Sequence, residues 1–161
     1  MAGMRRRAGH RGMAATGLAA LLVVLAAAGE AAELAREVLA GPMTVEVIRI
    51  IDGDTIVVRA HPWLGVFVET HVRLEGIDAP ELHGRCDYEK DLAEQAKTRL
   101  AALLGAGEAR ISDIRNDKYG GRVRARVFDP AGVDVGAELV AAGLARPYHG
   151  ERRQPWCLGD G

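Results

Sequence analysis

The stretch Val45-Glu46-Val47-Ile48-Arg49-Ile50-Ile51-Asp52-Gly53-Asp54-Thr55-Ile56-Val57-Val58-Arg59 decides the reading of the fold. Two runs rich in β-branched residues flank Asp52-Gly53, and such side chains suit a pleated, half-buried surface. An Asp-Gly pair between them predicts a two-residue hairpin, because both central positions of that turn want φ > 0. Downstream, His61-Pro62-Trp63-Leu64-Gly65 breaks the pattern and Val66 to Leu74 resumes it as a third strand. A loop containing Asp78-Ala79-Pro80-Glu81 follows.

From Asp87 to Leu104 the apolar period lengthens to about 3.6, which predicts a helix with Tyr88, Leu92, Ala96, Leu100, Leu103 and Leu104 on one face. Asp87 is expected to cap it and Gly105 to end it. Ala109 to Ile114 and Val123 to Phe128 read as strands four and five. A short helix from Asp134 to Ala142, stopped by Gly143, closes the order β-β-β-α-β-β-α. That order predicts a β-rich α+β fold: a five-stranded OB-fold barrel with one helix between strands 3 and 4 and a short helix after strand 5.

The chain has 161 residues, 48% of them apolar, which suits one domain and excludes a wholly disordered chain. Aromatic residues make up only 4%, too few for a surface of stacked aromatic platforms. At the N-terminus, Arg5, Arg6, Arg7 and Arg11 precede an uncharged run from Met13 to Gly29. A basic head, a short apolar run and small residues after it predict a signal peptide, residues 1–31, cleaved near 28–31. A tether over 32–42 and one domain over 43–157 complete the expected organisation, with export to the periplasm or medium and no stable membrane association after cleavage. Removing Arg5, Arg6, Arg7, Arg11 and Glu30 leaves 17 basic and 21 acidic residues, a net charge of −4. Long-range attraction therefore contributes nothing to binding a polyanion, and local arginines would have to supply it. Cys86 and Cys157 are the only cysteines, and an oxidising compartment favours their pairing. Closing so long a loop stabilises by about 4 kcal/mol in the chain-entropy model.

The polar residues carry more information than the topology. Asp54, Asp78 and Glu81 fall at strand ends or in loops, while Arg73 and Arg122 sit in otherwise apolar strands. Carboxylate oxygens suit Ca²⁺ or Mg²⁺. A further carboxylate can take a proton from water, and guanidinium forks match phosphate oxygens. Strict alternation puts Arg73 and Asp78 on opposite faces, so they converge only where the strand ends or bulges near Gly76. His61, His71, His83 and His149 show no mutual ligand spacing and read as surface or loop residues.

Taken together, Ile51-Asp52-Gly53-Asp54-Thr55, the run Val72 to Glu81, Asp117-Lys118-Tyr119-Gly120 with Arg122, and Ala142-Gly143-Leu144-Ala145 resemble the staphylococcal nuclease (thermonuclease) family. The resemblance runs from Val45 to Tyr148. It implies a Ca²⁺-dependent endonuclease acting on DNA and RNA and leaving 3′-phosphates. By the same resemblance, Asp54 and Asp78 bind Ca²⁺ through carboxylates and Ala79 through its carbonyl. Glu81 matches the general base, Arg73 and Arg122 the phosphate clamps, and Lys118 and Tyr119 the nucleotide contacts. A monomer is expected. Two departures stand out: Gly121 is an extra residue before Arg122, which leaves Arg124 as the fallback clamp, and the chain stops soon after Cys157, where the family has a long helix. Two other classes stay open, a catalytically silent OB-fold module that binds nucleic acid, and an envelope protein whose barrel binds a protein partner.

Overall fold

Strand β2 (Met43–Ile50) pairs antiparallel with β3 (Thr55–Trp63), and β3 with β4 (Val66–Leu74), as the opening stretch demands. The computed structural model describes residues 37–105 and 107–157. The predicted signal peptide and the first part of the tether, 32–36, lie outside the described residues. Of the remaining tether, Val38–Leu39 form a short strand, β1, paired with Arg115 and Ile114.

Five strands close on themselves. Strand β6 (Glu108–Asn116) runs antiparallel to both β2 and β7 (Arg122–Phe128), and β7 runs parallel to β4 in the register Val72↔Val123. That parallel pair shuts the barrel and leaves no free edge between the first three strands and the last two. Val45, Ile56, Val58, Val72, Leu74, Ile111, Ala125 and Val127 fill the interior. Leu100 and Leu104 of helix α1 (Asp87–Leu104) and Leu139 of α2 (Val135–Ala141) join the same core.

Four local readings need correction. Neither Asp52 nor Gly53 has positive φ, so the β2–β3 connection is not the mirror-image two-residue turn. It spans residues 51–54 and is closed by Ile51 N–H donating to the Thr55 carbonyl at 2.9 Å. Gly53 is required by space: a Cβ there would lie 2.7 Å from Ala96 Cβ and 2.9 Å from Ala79 Cβ. The turn is thus pressed against α1 and against the loop after Asp78.

Pairing also continues through His61-Pro62-Trp63, with Leu64-Gly65 as the turn and Trp63↔Val66 the last pair. This hairpin projects past the core, so its side chains stop alternating, and the register shifts between Ala60 and Trp63. Trp63 is 75% and Leu64 91% exposed.

In α1 the buried stripe is Glu89, Ala93, Ala96, Leu100 and Leu104, while Tyr88 faces solvent. Cys86, not Asp87, is the N-cap residue, and its side chain makes no cap bond. Glu89, on the buried face, instead ties the preceding loop to the helix: its carboxylate accepts from Arg85 N–H at 3.0 Å and Glu81 N–H at 3.4 Å. A periodicity reading passes over a carboxylate on the buried face. In α2, by contrast, Asp134 caps as its position suggests, accepting from Gly136 N–H and Ala137 N–H.

After α2 the chain returns to the first half. Strand β8 (Arg146–Pro147) pairs with β5 (Ile77–Asp78), Tyr148 N–H donates to the Gly76 carbonyl, and Cys157 is bonded to Cys86.

Candidate active site

Asp54 leaves the β2–β3 turn directly into β3, where Thr55 is the register partner of Arg73. Asp54 is 4% exposed. Oδ1 accepts from Arg73 Nη1 at 2.7 Å and from the Thr55 hydroxyl at 3.0 Å, and Oδ2 accepts from Ala79 N–H at 3.3 Å. Burial pushes its pKa up from the ordinary 3.8 to about 6, against the pull of the Arg73 guanidinium, while the nearby Asp52 adds to the rise.

Asp78 reaches the same place by a different route. Strand β4 ends at Leu74, and Gly76 turns the chain with φ +84°, a conformation that costs glycine nothing. The two residues of β5 then bring Asp78 Oδ1 to 3.7 Å from Arg73 Nη2. The convergence that alternation alone forbids is therefore made by ending the strand at a glycine. Burial raises the Asp78 pKa, opposed by Arg153 and then Arg73.

Arg153 was not singled out by sequence. Its Nε lies 2.9 Å from Asp78 Oδ1 and its Nη1 donates to Glu81 Oε1 at 2.8 Å. One guanidinium thus joins Asp78, buried on β5, to Glu81 on the exposed loop beyond it. Arg73 Nη2 and Asp78 Oδ1 are both buried without a well-aligned hydrogen bond, so their ion pairs are electrostatic contacts only. The carboxylates of Asp54, Asp78 and Glu81 set against the guanidiniums of Arg73 and Arg153 leave one net negative charge and oxygen donors with spare capacity. That set fits a hard divalent cation held by Asp54 and Asp78, with the backbone of Ala79 alongside.

A second group forms beside the first. In the parallel β4–β7 pair, Arg122 is the partner of His71 and Arg124 of Arg73, so these residues share the outer face of the barrel. Arg122 bonds to Asp117 and lies 5.0 Å over the Tyr119 ring, whose centroid is also 5.0 Å from Lys118 Nζ. Arg124 Nη1 lies 3.4 Å from Glu75, and Arg126 Nη2 lies 2.8 Å from Asp134. The three strand arginines therefore do not make one uniformly basic face, since each meets a carboxylate. Gly121 takes φ +77° and absorbs the extra residue in the loop. Arg122 makes no bond to Asp54, Asp78 or Glu81 among the described contacts.

A cleft of about 660 Å³ is lined by Asp78 and Glu81 together with His83, Arg152, Arg153 and Trp156. Glu89 lies against the sulfurs of Cys86 and Cys157, which are bonded to each other and so do not form a thiolate metal site.

A closed barrel bearing buried carboxylates and arginines at its strand ends has the features of a phosphodiester-handling enzyme. Residues 71–156 match the family described as staphylococcal nuclease homologue. An "Uncharacterized endonuclease" of Escherichia coli is 28% identical over 118 residues, covering 73% of this chain and 69% of that protein. "Micrococcal nuclease" of Shigella flexneri is 34% identical over 110 residues, 64% of this chain and 57% of that one. "Protein ParB" of Escherichia coli is 33% identical over 144 residues, 80% of this chain and 73% of its own length. The chain belongs to the staphylococcal nuclease homologue family.

Proposed function

We propose that this protein is an exported, calcium-dependent endonuclease that hydrolyses phosphodiester bonds of DNA and RNA and leaves 3′-phosphates. The observation that carries the reading is the buried Asp54–Arg73–Asp78 cluster, which with Glu81 and Arg153 gathers three carboxylates against two guanidiniums. Export is supported by the N-terminal signal pattern and by the Cys86–Cys157 bond. No helix among the described residues is long and apolar enough to cross a membrane.

In this reading Asp54 and Asp78 hold Ca²⁺ with the Ala79 carbonyl. When bound, the ion would polarise the scissile phosphate and offset its charge. Glu81 accepts a proton from the attacking water, whose oxygen bonds to phosphorus as the bond to the 5′ oxygen breaks. Arg73 and Arg122 present guanidinium forks to the equatorial oxygens, where charge develops in the transition state. Lys118 and Tyr119, already grouped with Arg122, contact the neighbouring nucleotide. The test is purified, oxidised protein with plasmid DNA and with RNA, in Ca²⁺ and in chelator. Cleavage is expected only with Ca²⁺, with ends that become labelling-competent after 3′-phosphatase treatment. Intact substrate in Ca²⁺ would overturn the reading in favour of a silent barrel.

A further inference from the structure

In that reaction the group that accepts the proton is also the least anchored by its own surroundings. Glu81 lies on a loop with its side chain 54% exposed, and Arg153 is the only side chain its carboxylate bonds among the described residues. A general base has to hold its oxygen within hydrogen-bond reach of a water, so freedom at Glu81 would cost rate.

Arg153 is itself well held. Four residues on, Cys157 is bonded to Cys86, which follows Glu81 by only five residues. Between them Trp156 is buried under the Arg146 guanidinium at 3.7 Å, and Arg146 Nη1 donates to the Pro155 carbonyl at 3.1 Å. On the other side Glu89 grips the Glu81 and Arg85 amides. The disulfide thus staples together the two segments that carry Arg153 and Glu81, and the fork of Arg153 spans from Glu81 to Asp78.

Resting on the nuclease reading, we propose that Arg153 is a positioning residue, aiming the Glu81 carboxylate at the water beside the Asp78-bound cation. Its role has an electrostatic signature. A guanidinium 2.9 Å from a cation-binding carboxylate repels the cation it helps to use. Removing Arg153 therefore slows the reaction and tightens the metal, whereas damage to the fold would weaken both.

The experiment compares wild type, Arg153→Ala and Arg153→Lys, all oxidised. It measures kcat and KM on DNA in saturating Ca²⁺, Ca²⁺ affinity by calorimetry without substrate, and thermal melting. Arg153→Ala is expected to lower kcat about ten- to a hundredfold with KM within about twofold. It should tighten Ca²⁺ about three- to tenfold and melt like wild type. Arg153→Lys keeps the charge but not the fork, so its Ca²⁺ affinity should stay near wild type while kcat recovers only in part. An Arg153→Ala protein that cleaves like an active wild type overturns the inference and leaves the nuclease reading standing. So does one in which Ca²⁺ binding and melting temperature fall together with kcat. A wild type that does not cleave overturns the nuclease reading, and this inference with it.

Discussion

The two halves of the site differ in how their charges are held. Asp54, Arg73 and Asp78 are nearly dry and stand on strands or at strand ends, so the barrel's register fixes them. Glu81, Arg153, Lys118 and Tyr119 stand on exposed loops: Glu81 and Arg153 fix each other across distant segments, while Lys118 and Tyr119 meet each other and nearby Arg122. Dry charges are expensive to leave unpaired, so stability and activity should fail together in the first half. Wet pairs add little stability, so in the second half activity should fail alone.

The sharpest contrast comes from Arg73→Ala, which strips both buried carboxylates of their shared cation. Turnover should fall at least a thousandfold, and urea unfolding should show a loss of about 3–5 kcal/mol. An inactive variant of unchanged stability would break the contrast. Glu81→Gln probes the other half: turnover should drop about a hundredfold or more, with the melting temperature unmoved. Cys86→Ser with Cys157→Ser removes the staple between the Glu81 and Arg153 segments of the second half. It should cost about 2–5 kcal/mol in chemical denaturation, with a fall in kcat beyond that explained by unfolding.

The dry half also has a pH signature. Folded Asp54 titrates near 6 rather than 3.8, so between those values the folded protein holds a proton that the unfolded chain releases. Metal-free stability from this group is therefore present below about pH 3.8 and lost as pH rises through about 6, a swing of about 3 kcal/mol. Asp54→Asn should flatten that part of the stability-versus-pH curve and abolish stabilisation by Ca²⁺. An unaltered slope would show that the buried carboxylate is not strained. Smallest is Gly53→Ala, whose methyl meets Ala96 and Ala79. A loss of about 1–3 kcal/mol is expected by melting, and more in the presence of Ca²⁺ than in chelator if the turn also places Asp54.

Much of the dry half was legible in the sequence, because β-branched runs declare the strands and a polar residue inside one is conspicuous. Arg73 was visible for that reason, and Asp54 because it stands in the turn that the two runs flank. The meeting of Arg73 with Asp78 was not, since alternation predicts opposite faces and only the stop at Gly76 reverses it. Glu89 was missed because a charge on a helix reads as solvent-facing, yet its carboxylate satisfies two loop amides indoors. Arg153 had a signal that went unused. A bond between Cys86 and Cys157 already brings residue 81 near residue 153, and a carboxylate and an arginine so placed are natural partners.

The parallel pairing of β4 with β7 has a consequence for how the protein comes into being. Thr70 and Gly121, bonded across that seam, are 51 residues apart in sequence, and Glu81 and Arg153 are 72 apart. Contacts of such span carry the largest loop-closure cost and form late. The first three strands can register as soon as they exist, but the arrangement around Glu81 waits for residues 153–157 to arrive and for Cys157 to be oxidised. A growing or reduced chain therefore has the strands of the barrel before the finished centre, and the arrival and oxidation of the segment from Arg153 to Cys157 set the moment at which that centre exists.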